Sequence, residues 1–236
     1  MQSHIPQTAM ILAAGRGTRM RSLTQHTPKP LLTVADKPLI VWQIQRLVAA
    51  GIRHIVINHA YLGEQIVAAL GDGSTWGAQI TYSAEPSAAS FDTGGGIRHA
   101  LPLLGAQPFL VVNADVWCTL DYAELTLPAG ASAHMVLVPN PEQHPEGDFH
   151  LTSDGRVLTQ GKPRYTYSGI GVYHPNLFQS KSATAFPLAP VLRQAADAGQ
   201  ITGQLYAGQW SDIGTPERLA TLCHSIEQAH HTPPIS

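Results

Sequence analysis

The sequence predicts one α/β domain built on a mainly parallel β-sheet with helices on both faces. Short apolar runs alternate with segments of helical periodicity along the first half of the chain, and this alternation is typical of strands joined by right-handed helical crossovers. Most of these runs are continuously apolar, as expected for strands that are buried on both faces. With 236 residues, 44% of them hydrophobic, the chain is long enough to bury a full core.

The first half supplies four strands and three helices. Residues 8–13 (TAMILA) form an apolar run that leads into a glycine loop, which is the pattern of a buried strand. Residues 38–50 carry apolar side chains at helical spacing, begin with proline and end before Gly51, so they predict a helix. The same reasoning predicts strands at residues 54–58, 79–83 and 108–113 and helices at residues 63–70 and 95–104.

The second half is more polar and richer in turns. It predicts strands at residues 134–138 and 169–173, a helix at residues 188–198 and a closing helix at residues 216–228. The final residues, 230–236 (HHTPPIS), are expected to form a loose tail. Because the sequence has no internal repeat and no low-complexity linker, a single domain over residues 1–236 is the simplest partition.

Composition and charge exclude several classes of protein. Fourteen basic and sixteen acidic residues give a net charge of −2, so there is no basic excess for binding nucleic acid or a membrane surface. No apolar run reaches the roughly 18–20 residues that cross a bilayer, and the stretch MQSHIPQTAM lacks the pattern of a secretory signal. Cys118 and Cys223 have no CxxC partner, which argues against a disulfide scaffold or a zinc cluster. We therefore expect a cytoplasmic globular protein.

Residues 12–31 (LAAGRGTRMRSLTQHTPKPL) contain the most informative motif. Small residues and glycines directly after a buried strand let backbone N–H groups turn toward a phosphate. The loop has GTR where a Walker A loop has GKS or GKT, and Met20 replaces the third glycine of a dinucleotide fingerprint, so neither motif is present. Two cations, Arg19 and Lys29, accompany the loop and suit a triphosphate. The alternative is a tight turn with two solvated cations.

These motifs resemble the signature of the sugar-phosphate nucleotidyltransferases, approximately (L)(A/G)xGxGTR followed by PKxL, and the resemblance extends over most of the chain. It implies a Rossmann-like (GT-A-like) fold with a smaller substrate-side region and no C-terminal β-helix. It also implies a nucleotide-binding half at about residues 8–115, a sugar-binding half at about 116–215, and a C-terminal helix and tail at 216–236. In the family, the loop and the lysine bind a nucleoside triphosphate, which implies that role for Ala13, Ala14, Gly15, Gly17, Thr18, Arg19 and Lys29.

Two aspartates are candidate metal ligands. Asp115 lies just past the carboxyl end of a buried strand, where ligands bind in open α/β sheets, and a carboxylate there suits Mg²⁺; the alternative is a strand-terminal cap. The family has N-G-D at this place, and Asn113 and Asp115 match while Ala114 replaces the glycine. Residues 210–215 match the family motif W-x-D-x-G-T, which implies that Asp212 is the second Mg²⁺ ligand. The same stretch is also an ordinary helix start, with its threonine as N-cap.

Residues 85–96 (EPSAASFDTGGG) form a second glycine-rich segment. Three consecutive glycines at a helix start are expected to let a ligand approach the backbone closely, and the alternative is an adaptable surface loop. In the family, a related segment holds the base and the ribose, which implies nucleotide contacts for Glu85, Asp92 and Thr93.

Some segments resemble the family members that act on UTP and N-acetylmuramate 1-phosphate in peptidoglycan recycling, namely residues 57–66, 70–77, 92–96, 138–149 and 167–170. This resemblance implies that UTP is the favoured nucleotide and that the sugar lies beside Asn113, Asp148, Ser168 and Gly169. Lys162 stands in the place of the lysine of the family's sugar-phosphate motif E-K-P, but the acidic residue of that motif is missing. The 12 histidines are scattered without ligand spacing, and none is assigned a role.

The expected reaction is in-line attack by a sugar 1-phosphate oxygen on the α-phosphorus of the nucleoside triphosphate, with release of pyrophosphate. A phosphate monoester is already ionised, so catalysis reduces to positioning and charge neutralisation by Arg19, Lys29 and a Mg²⁺ ion on Asp115 and Asp212. One alternative is the same chemistry with another pair, such as GTP and mannose 1-phosphate or CTP and phosphocholine. The other is a nucleotide-sugar sensor without turnover, which the joint presence of these four charged residues disfavours. No oligomeric state follows from the sequence.

Overall fold

The computed structural model describes residues 5–86, 91–182 and 184–231. Its strands are β1 (Thr8–Leu12), β2 (Thr33–Val34), β3 (Lys37–Pro38), β4 (His54–His59), β5 (Gln79–Ala84), β6 (Phe109–Asn113), β7 (Val116–Cys118), β8 (Ala133–Val138), β9 (Phe149–Leu151), β10 (Val157–Leu158), β11 (Arg164–Tyr173), β12 (Ile201–Leu205) and β13 (Trp210–Asp212). Its α-helices are α1 (Leu39–Ala49), α2 (Gly63–Leu70), α3 (Asp92–Leu104), α4 (Asn176–Gln179), α5 (Leu188–Asp197) and α6 (Pro216–His231).

Nine strands of the described residues form one sheet. Its order is β10-β9-β11-β6-β1-β4-β5, and β8 and β12 extend it from β11. The strands of the first half, β5, β4, β1 and β6, are all parallel. β11 is antiparallel to β6 and to β8 and joins the more polar second half to this sheet. The predicted α/β fold is confirmed, with a parallel first half and a mixed second half.

β1 lies inside the parallel part of the sheet, and its two neighbouring strands, β4 and β6, are reached by separate connections. The connection after β1 leads through α1 to β4 on one side, whereas β6, reached later through α3, pairs with β1 on the other side. In open α/β sheets, ligands bind at such a point, in the crevice outside the carboxyl ends of the strands. The glycine loop that follows β1 therefore lies where this fold favours a ligand.

Helices cover both faces of the sheet. Ala9 and Ile11 of β1 belong to an apolar core that includes α1 and α2, and Met10, between them, belongs to a core that includes α3 and α5. Successive side chains of a strand point to opposite faces. A strand covered on both sides therefore needs a continuously apolar run, which is what the sequence has here.

The closing helix α6 packs against the first half of the chain. Leu222 and Ile226 of α6 form a third apolar cluster with Met20 and Val34. This contact brings the C-terminal part of the described chain next to the segment that follows the glycine loop. Among the described residues, every helix is too short or too polar to span a bilayer.

The helix α6 begins as the sequence predicts but ends later than predicted. At its start, the Thr215 hydroxyl accepts the backbone N–H of Arg218 at 3.4 Å, as predicted for an N-cap. At its end, the helix continues through His231, so the two histidines assigned to a loose tail are helical. No glycine or proline interrupts the chain between Pro216 and residue 233, so the helix has no reason to stop earlier. Residues 232–236 of the expected tail lie outside the described residues.

Seven short strands are not predicted from the sequence: β2, β3, β7, β9, β10, β12 and β13. β11 also begins at Arg164, well before the predicted residue 169. These strands are short or partly polar and carry little periodic signal of their own. They form because a distant segment supplies a partner, as when β13 pairs with β7.

The three consecutive glycines lie inside α3, which begins at Asp92 rather than at residue 95. A Cβ atom at Gly94 would lie 2.5 Å from Cε2 of Phe186, and one at Gly96 would lie 2.5 Å from Oε1 of Glu85. All three glycines are buried, and they let α3 pack closely against neighbouring protein segments. Close packing within the protein therefore accounts for these glycines, and the expected approach of a ligand to their backbone stays a prediction.

Gly94→Ala is expected to lower the free energy of unfolding by about 1–3 kcal/mol, because the new methyl group overpacks the contact with the Phe186 ring. Urea denaturation followed by circular dichroism measures the change. Gly15→Ala is the matched control, since a Cβ atom there meets no atom within 4 Å. We expect its unfolding free energy to stay within about 0.5 kcal/mol of wild type. Equal stability of the two variants would contradict the packing role of Gly94.

Candidate active site

The loop after β1 is tied to neighbouring strand ends by buried hydrogen bonds. The backbone N–H of Ala13 donates to Oδ1 of Asn58 at 2.9 Å, and Nδ2 of Asn58 donates to Oε1 of Glu85 at 2.6 Å. Oε2 of Glu85 accepts the backbone N–H of Phe91 at 2.9 Å. Asn58 and Glu85 are both buried. Together these bonds fix the start of the loop relative to β4, the end of β5 and the start of α3.

The loop is packed on one side and open on the other. Gly17 has a φ of +64°, a left-handed conformation that favours glycine, and a Cβ atom there would lie 3.0 Å from Cβ of Lys29. At Gly15, by contrast, a Cβ atom would enter open space. The lysine segment therefore supports the loop, while Gly15 borders a cavity.

A cavity of about 360 Å³ opens at this loop, and we call it the loop cavity. Most residues that the sequence assigns to nucleotide binding line it, namely Ala13, Ala14, Gly15, Gly17, Thr18, Arg19, Lys29, Asp92 and Thr93. Its wall also includes Asn58, Asn113, Asp115 and Gly214. A small-residue loop and two cations that face one cavity favour a polyphosphate ligand.

A second cavity of about 390 Å³ adjoins the first beside β11, and we call it the β11 cavity. Its wall includes the predicted residues Ser168, Gly169 and Asp212. Three side chains line both cavities, namely Arg19, Asn113 and Asp115. The two cavities therefore meet at these side chains, and two ligands could react with each other there.

Asp115 and Asp212 are brought together by a small sheet outside the main one. β13 pairs antiparallel with β7, which places Asp212 opposite Val116. The backbone N–H of Ile213 donates to the carbonyl oxygen of Asp115 at 2.8 Å. Both aspartate side chains line the β11 cavity. The fold thus joins two carboxylates that are far apart in the sequence.

Each of these aspartates has a cationic partner. Nζ of Lys29 forms an ion pair with Oδ2 of Asp115, and Lys29 is buried. Arg218 of α6 forms an ion pair with Oδ1 of Asp212, and the same oxygen accepts Nε2 of Gln143 at 3.0 Å. Positive and negative side chains therefore alternate around the junction of the two cavities.

The aspartate pair suits Mg²⁺. This ion usually binds through one or two carboxylates and completes its shell with water and substrate phosphates. No group of three or more His, Cys, Asp or Glu side chains in the described part of the chain is placed to hold a metal ion. A protein zinc site needs three or four such ligands. The described residues therefore fit Mg²⁺ at Asp115 and Asp212 beside a phosphate-bearing ligand.

Two predicted contact residues, Glu85 and Asp148, line neither cavity, and neither does Lys162. The Glu85 carboxylate makes the buried bonds described above. Asp148 binds Nε2 of His144 through Oδ1 at 3.0 Å and accepts the backbone N–H of Tyr167 through Oδ2 at 2.8 Å. Asp148 therefore orders two residues that do line the β11 cavity. Ligand contacts of Glu85 and Asp148 stay predictions, and no contact is assigned to Lys162.

Tyr167 contributes a neutral hydroxyl near the β11 cavity. Its phenol oxygen is 2.6 Å from that of Tyr173, so the two groups share a hydrogen bond. Burial raises the pKa of Tyr167 well above its ordinary value. The phenol therefore stays protonated at neutral pH and is not suited to act as a base.

Sequence reasoning missed Asn58, Gln143, His144 and Arg218. Asn58 lies near the carboxyl end of β4, and that position was a usable signal, because parallel strand ends share one edge of the sheet. No sequence signal identifies the other three residues. A loop conformation and the packing of α6 bring them to the site.

Comparison with known proteins identifies the family of this chain. The sequence profile described as nucleotidyl transferase matches residues 8–229. The chain is 52% identical over 219 residues to N-acetylmuramate alpha-1-phosphate uridylyltransferase of Neisseria meningitidis serogroup B, a match that covers 89% of this chain and 94% of that protein. It is 33% identical over 231 residues to the protein of the same name from Caulobacter vibrioides, covering 91% and 95% of the two chains.

A solved structure has the same fold. HddC from Yersinia pseudotuberculosis, in a crystal structure complexed with GMP-PN, has a TM-score of 0.76 with this chain at 20% identity. The match covers 93% of this chain and 99% of that chain. At this identity the comparison shows a shared fold over nearly the whole length.

Proposed function

The chain belongs to the nucleotidyl transferase family, and on this premise we propose that it transfers the uridylyl group of UTP to N-acetylmuramate 1-phosphate and releases pyrophosphate. The observation that carries the proposal is the meeting of the loop cavity and the β11 cavity at Arg19, Asn113 and Asp115. Transfer between two phosphate-bearing substrates needs adjoining sites that hold the reacting atoms together. The choice of UTP and N-acetylmuramate is supported by the 52% identity to the Neisseria enzyme.

We assign the triphosphate to the loop cavity. Its oxygens bind backbone N–H groups of residues 13–18, and Arg19 and Lys29 supply positive charge. The base and the ribose lie toward the part of the wall formed by Asp92 and Thr93. This arrangement places the α-phosphate on the side of the cavity that borders Asp115.

We assign the sugar 1-phosphate to the β11 cavity. Ser168 and Gly169 of β11 form part of its wall, and Asp115 lies at its border with the loop cavity. A Cβ atom at Gly169 would lie 2.6 Å from Nδ2 of Asn113. Glycine at this position therefore lets the Asn113 amide reach the junction, where it can donate a hydrogen bond to either substrate.

In the proposed reaction, a phosphate oxygen of the sugar 1-phosphate forms a bond to the α-phosphorus of UTP, and the bond from that phosphorus to pyrophosphate breaks. The attacking monoester is ionised at neutral pH, so no side chain has to remove a proton. Arg19, which lines both cavities, and Lys29 stabilise the negative charge that passes to pyrophosphate. Asp115 and Asp212 would hold the Mg²⁺ ion, which would supply further charge neutralisation at the phosphates.

We also propose that this reaction belongs to peptidoglycan recycling in the cytoplasm. The resemblance to family members that act on UTP and N-acetylmuramate 1-phosphate supports that role. Cys118 and Cys223 are both free thiols, which agrees with a reducing compartment.

Pyrophosphate release in the presence of Mg²⁺ tests the proposed substrates. UTP, GTP, dTTP and CTP are each crossed with the 1-phosphates of N-acetylmuramate, mannose and glucose. We expect turnover with UTP and N-acetylmuramate 1-phosphate and much slower turnover with every other pair. Fast turnover with GTP and mannose 1-phosphate would change the assigned substrates but not the proposed nucleotidyl transfer. A folded protein that binds UTP but turns over no pair would favour a sensor.

Gly15→Ala is expected to raise the Kd for UTP about tenfold or more, because its methyl group takes the space in which backbone donors approach the phosphates. The Cβ atom meets no protein atom within 4 Å, so the loss of affinity should come without a loss of stability. Isothermal titration with UTP measures the Kd. Wild-type affinity in Gly15→Ala would place the phosphates elsewhere.

A further inference from the structure

We propose that Arg218 and Gln143 are positioning residues that hold the Asp212 carboxylate by one oxygen and leave its other oxygen for the metal ion. The inference rests on the proposed function, in which Asp212 is a Mg²⁺ ligand. It deepens that function by adding two residues, one on α6 and one on a loop, that lie outside the W-x-D-x-G-T motif.

Both partners bind the same oxygen of Asp212. The Arg218 guanidinium forms its ion pair with Oδ1, and Nε2 of Gln143 donates to Oδ1 at 3.0 Å. Within the described part of the chain, no side chain or backbone group donates to Oδ2. Two bonds to one oxygen restrict rotation of the carboxylate, so the second oxygen keeps a constant direction. Oδ2 is therefore the oxygen available to a cation.

Arg218 is firmly held next to Asp212. It lies in the first turn of α6, where its backbone N–H donates to the Thr215 hydroxyl at 3.4 Å. Its side chain is only 22% exposed. A Cβ atom at Gly214 would lie 2.6 Å from Nη2 of Arg218, so glycine at this position lets the guanidinium lie against the backbone. A planar guanidinium held in this way is a rigid donor.

Gln143 reaches Asp212 from a different part of the chain, the loop between β8 and β9. Asn140 holds this loop, because its Nδ2 donates to the carbonyl oxygen of Pro145 at 2.9 Å and to that of Arg164 at 3.1 Å. The same loop lines the β11 cavity, the proposed sugar site. The Asp212 carboxylate is therefore held between the closing helix and the loop beside the sugar.

The direction of the effect on metal binding separates positioning from simple charge neutralisation. Loss of a hydrogen-bond partner of a metal ligand typically weakens metal binding about 10–100-fold. Loss of a positive charge beside a carboxylate acts in the opposite direction, because it strengthens the attraction for a cation. If Arg218 only neutralises Asp212, its removal tightens metal binding. If Arg218 positions Asp212, its removal weakens metal binding.

The test is Mn²⁺ binding to the protein–UTP complex, measured by water proton relaxation without sugar phosphate, so that no turnover occurs. Arg218→Met and Gln143→Ala are each expected to weaken Mn²⁺ binding about tenfold or more. Arg218→Lys, which keeps a donor without the planar fork, should recover part of the loss. Two matched controls should bind Mn²⁺ like wild type: Arg193→Met, at an exposed position of α5, and Glu142→Ala, at the exposed position next to Gln143.

A second measurement separates positioning from loss of structure. The Mg²⁺ concentration for half-maximal rate should rise by the same factor as the Mn²⁺ Kd, with kcat largely restored at saturating Mg²⁺. Equal or tighter Mn²⁺ binding in folded Arg218→Met, with wild-type binding in Gln143→Ala, would overturn the proposal. Gln143 is exposed, so its variant gives the answer if Arg218→Met is unstable.

Failure of the proposed function gives a different pattern. Wild-type turnover confined to another nucleotide–sugar pair would overturn the proposed substrates, and Mn²⁺ binding is then measured with that nucleotide. A wild-type protein that binds Mn²⁺ with none of the four nucleotides would overturn the metal assignment, and the positioning role with it.

Discussion

Replacing Asp115 by asparagine is expected to lower kcat about a thousandfold or more and to leave the fold intact. Asparagine keeps the size and shape of the side chain but removes the negative charge that attracts Mg²⁺. Asp115 lines both cavities, so its charge lies where the proposed substrates meet. Its side chain is 30% exposed and borders the cavities, and the Oδ1 atom of the asparagine can still accept a hydrogen bond from the buried Lys29 ammonium group. Pyrophosphate release at saturating UTP and N-acetylmuramate 1-phosphate measures kcat.

Asp154→Asn is the matched control for this variant. Asp154 also pairs with a cationic side chain, that of Arg156, at 2.9 Å, but both side chains are largely exposed. Exposed ion pairs contribute little to stability, and Asp154 lines neither cavity. We expect a wild-type rate and near wild-type stability. A folded Asp115→Asn protein whose kcat stays within tenfold of wild type would show that Asp115 does not hold the catalytic ion.

Lys29→Met is expected to lower kcat/KM for UTP about a hundredfold or more. Methionine keeps an apolar stem of similar length, so the packing of this segment against Gly17 is retained. The substitution removes the buried ammonium group that faces the loop cavity and pairs with Asp115. Both the affinity for the triphosphate and the stabilisation of the departing pyrophosphate should fall. Initial rates at varied UTP concentration measure kcat and KM separately.

Lys181→Met controls for the loss of a lysine elsewhere. Nζ of Lys181 donates to Oε1 of Gln194 at 2.9 Å in an exposed contact, and the residue lines neither cavity. Its kcat/KM for UTP should equal that of wild type. The role assigned to Lys29 fails if the two lysine variants have the same kcat/KM while thermal unfolding shows both to be folded.

The loop cavity could be predicted in large part because its signals are local. β1 is a continuous apolar run, and the glycines and small residues that follow it are contiguous, so a short window contains both the strand and its phosphate-binding loop. Asp115 follows β6 in the same way. The position of each signal at a strand end then places both at one edge of a parallel sheet.

The helix beginning at Asp92 shows what local reasoning leaves open. Its glycines suggest an approach to a ligand, yet Gly94 faces Phe186 and Gly96 faces Glu85. A glycine pattern indicates that another group lies close to the backbone, but it does not distinguish a ligand from another part of the protein. The approaching groups come from segments distant in sequence, so only the folded chain identifies them.

By itself, the sequence determined the α/β class, the order of the first-half strands and helices, the glycine loop and the two cations beside it. These features follow from periodicity, turn residues and charge within short windows. The resemblance to the family implied that Asp212 joins Asp115, and the tertiary structure supplied the strand pairing that brings them together. The tertiary structure alone decided that Arg218 and Gln143 bind Asp212 and that Asp148 binds His144 and Tyr167. Each of these depends on contacts between segments far apart in the chain, such as the pairing of β7 with β13. No local pattern encodes such a contact, because it forms only when the packing of the whole domain brings the partners together.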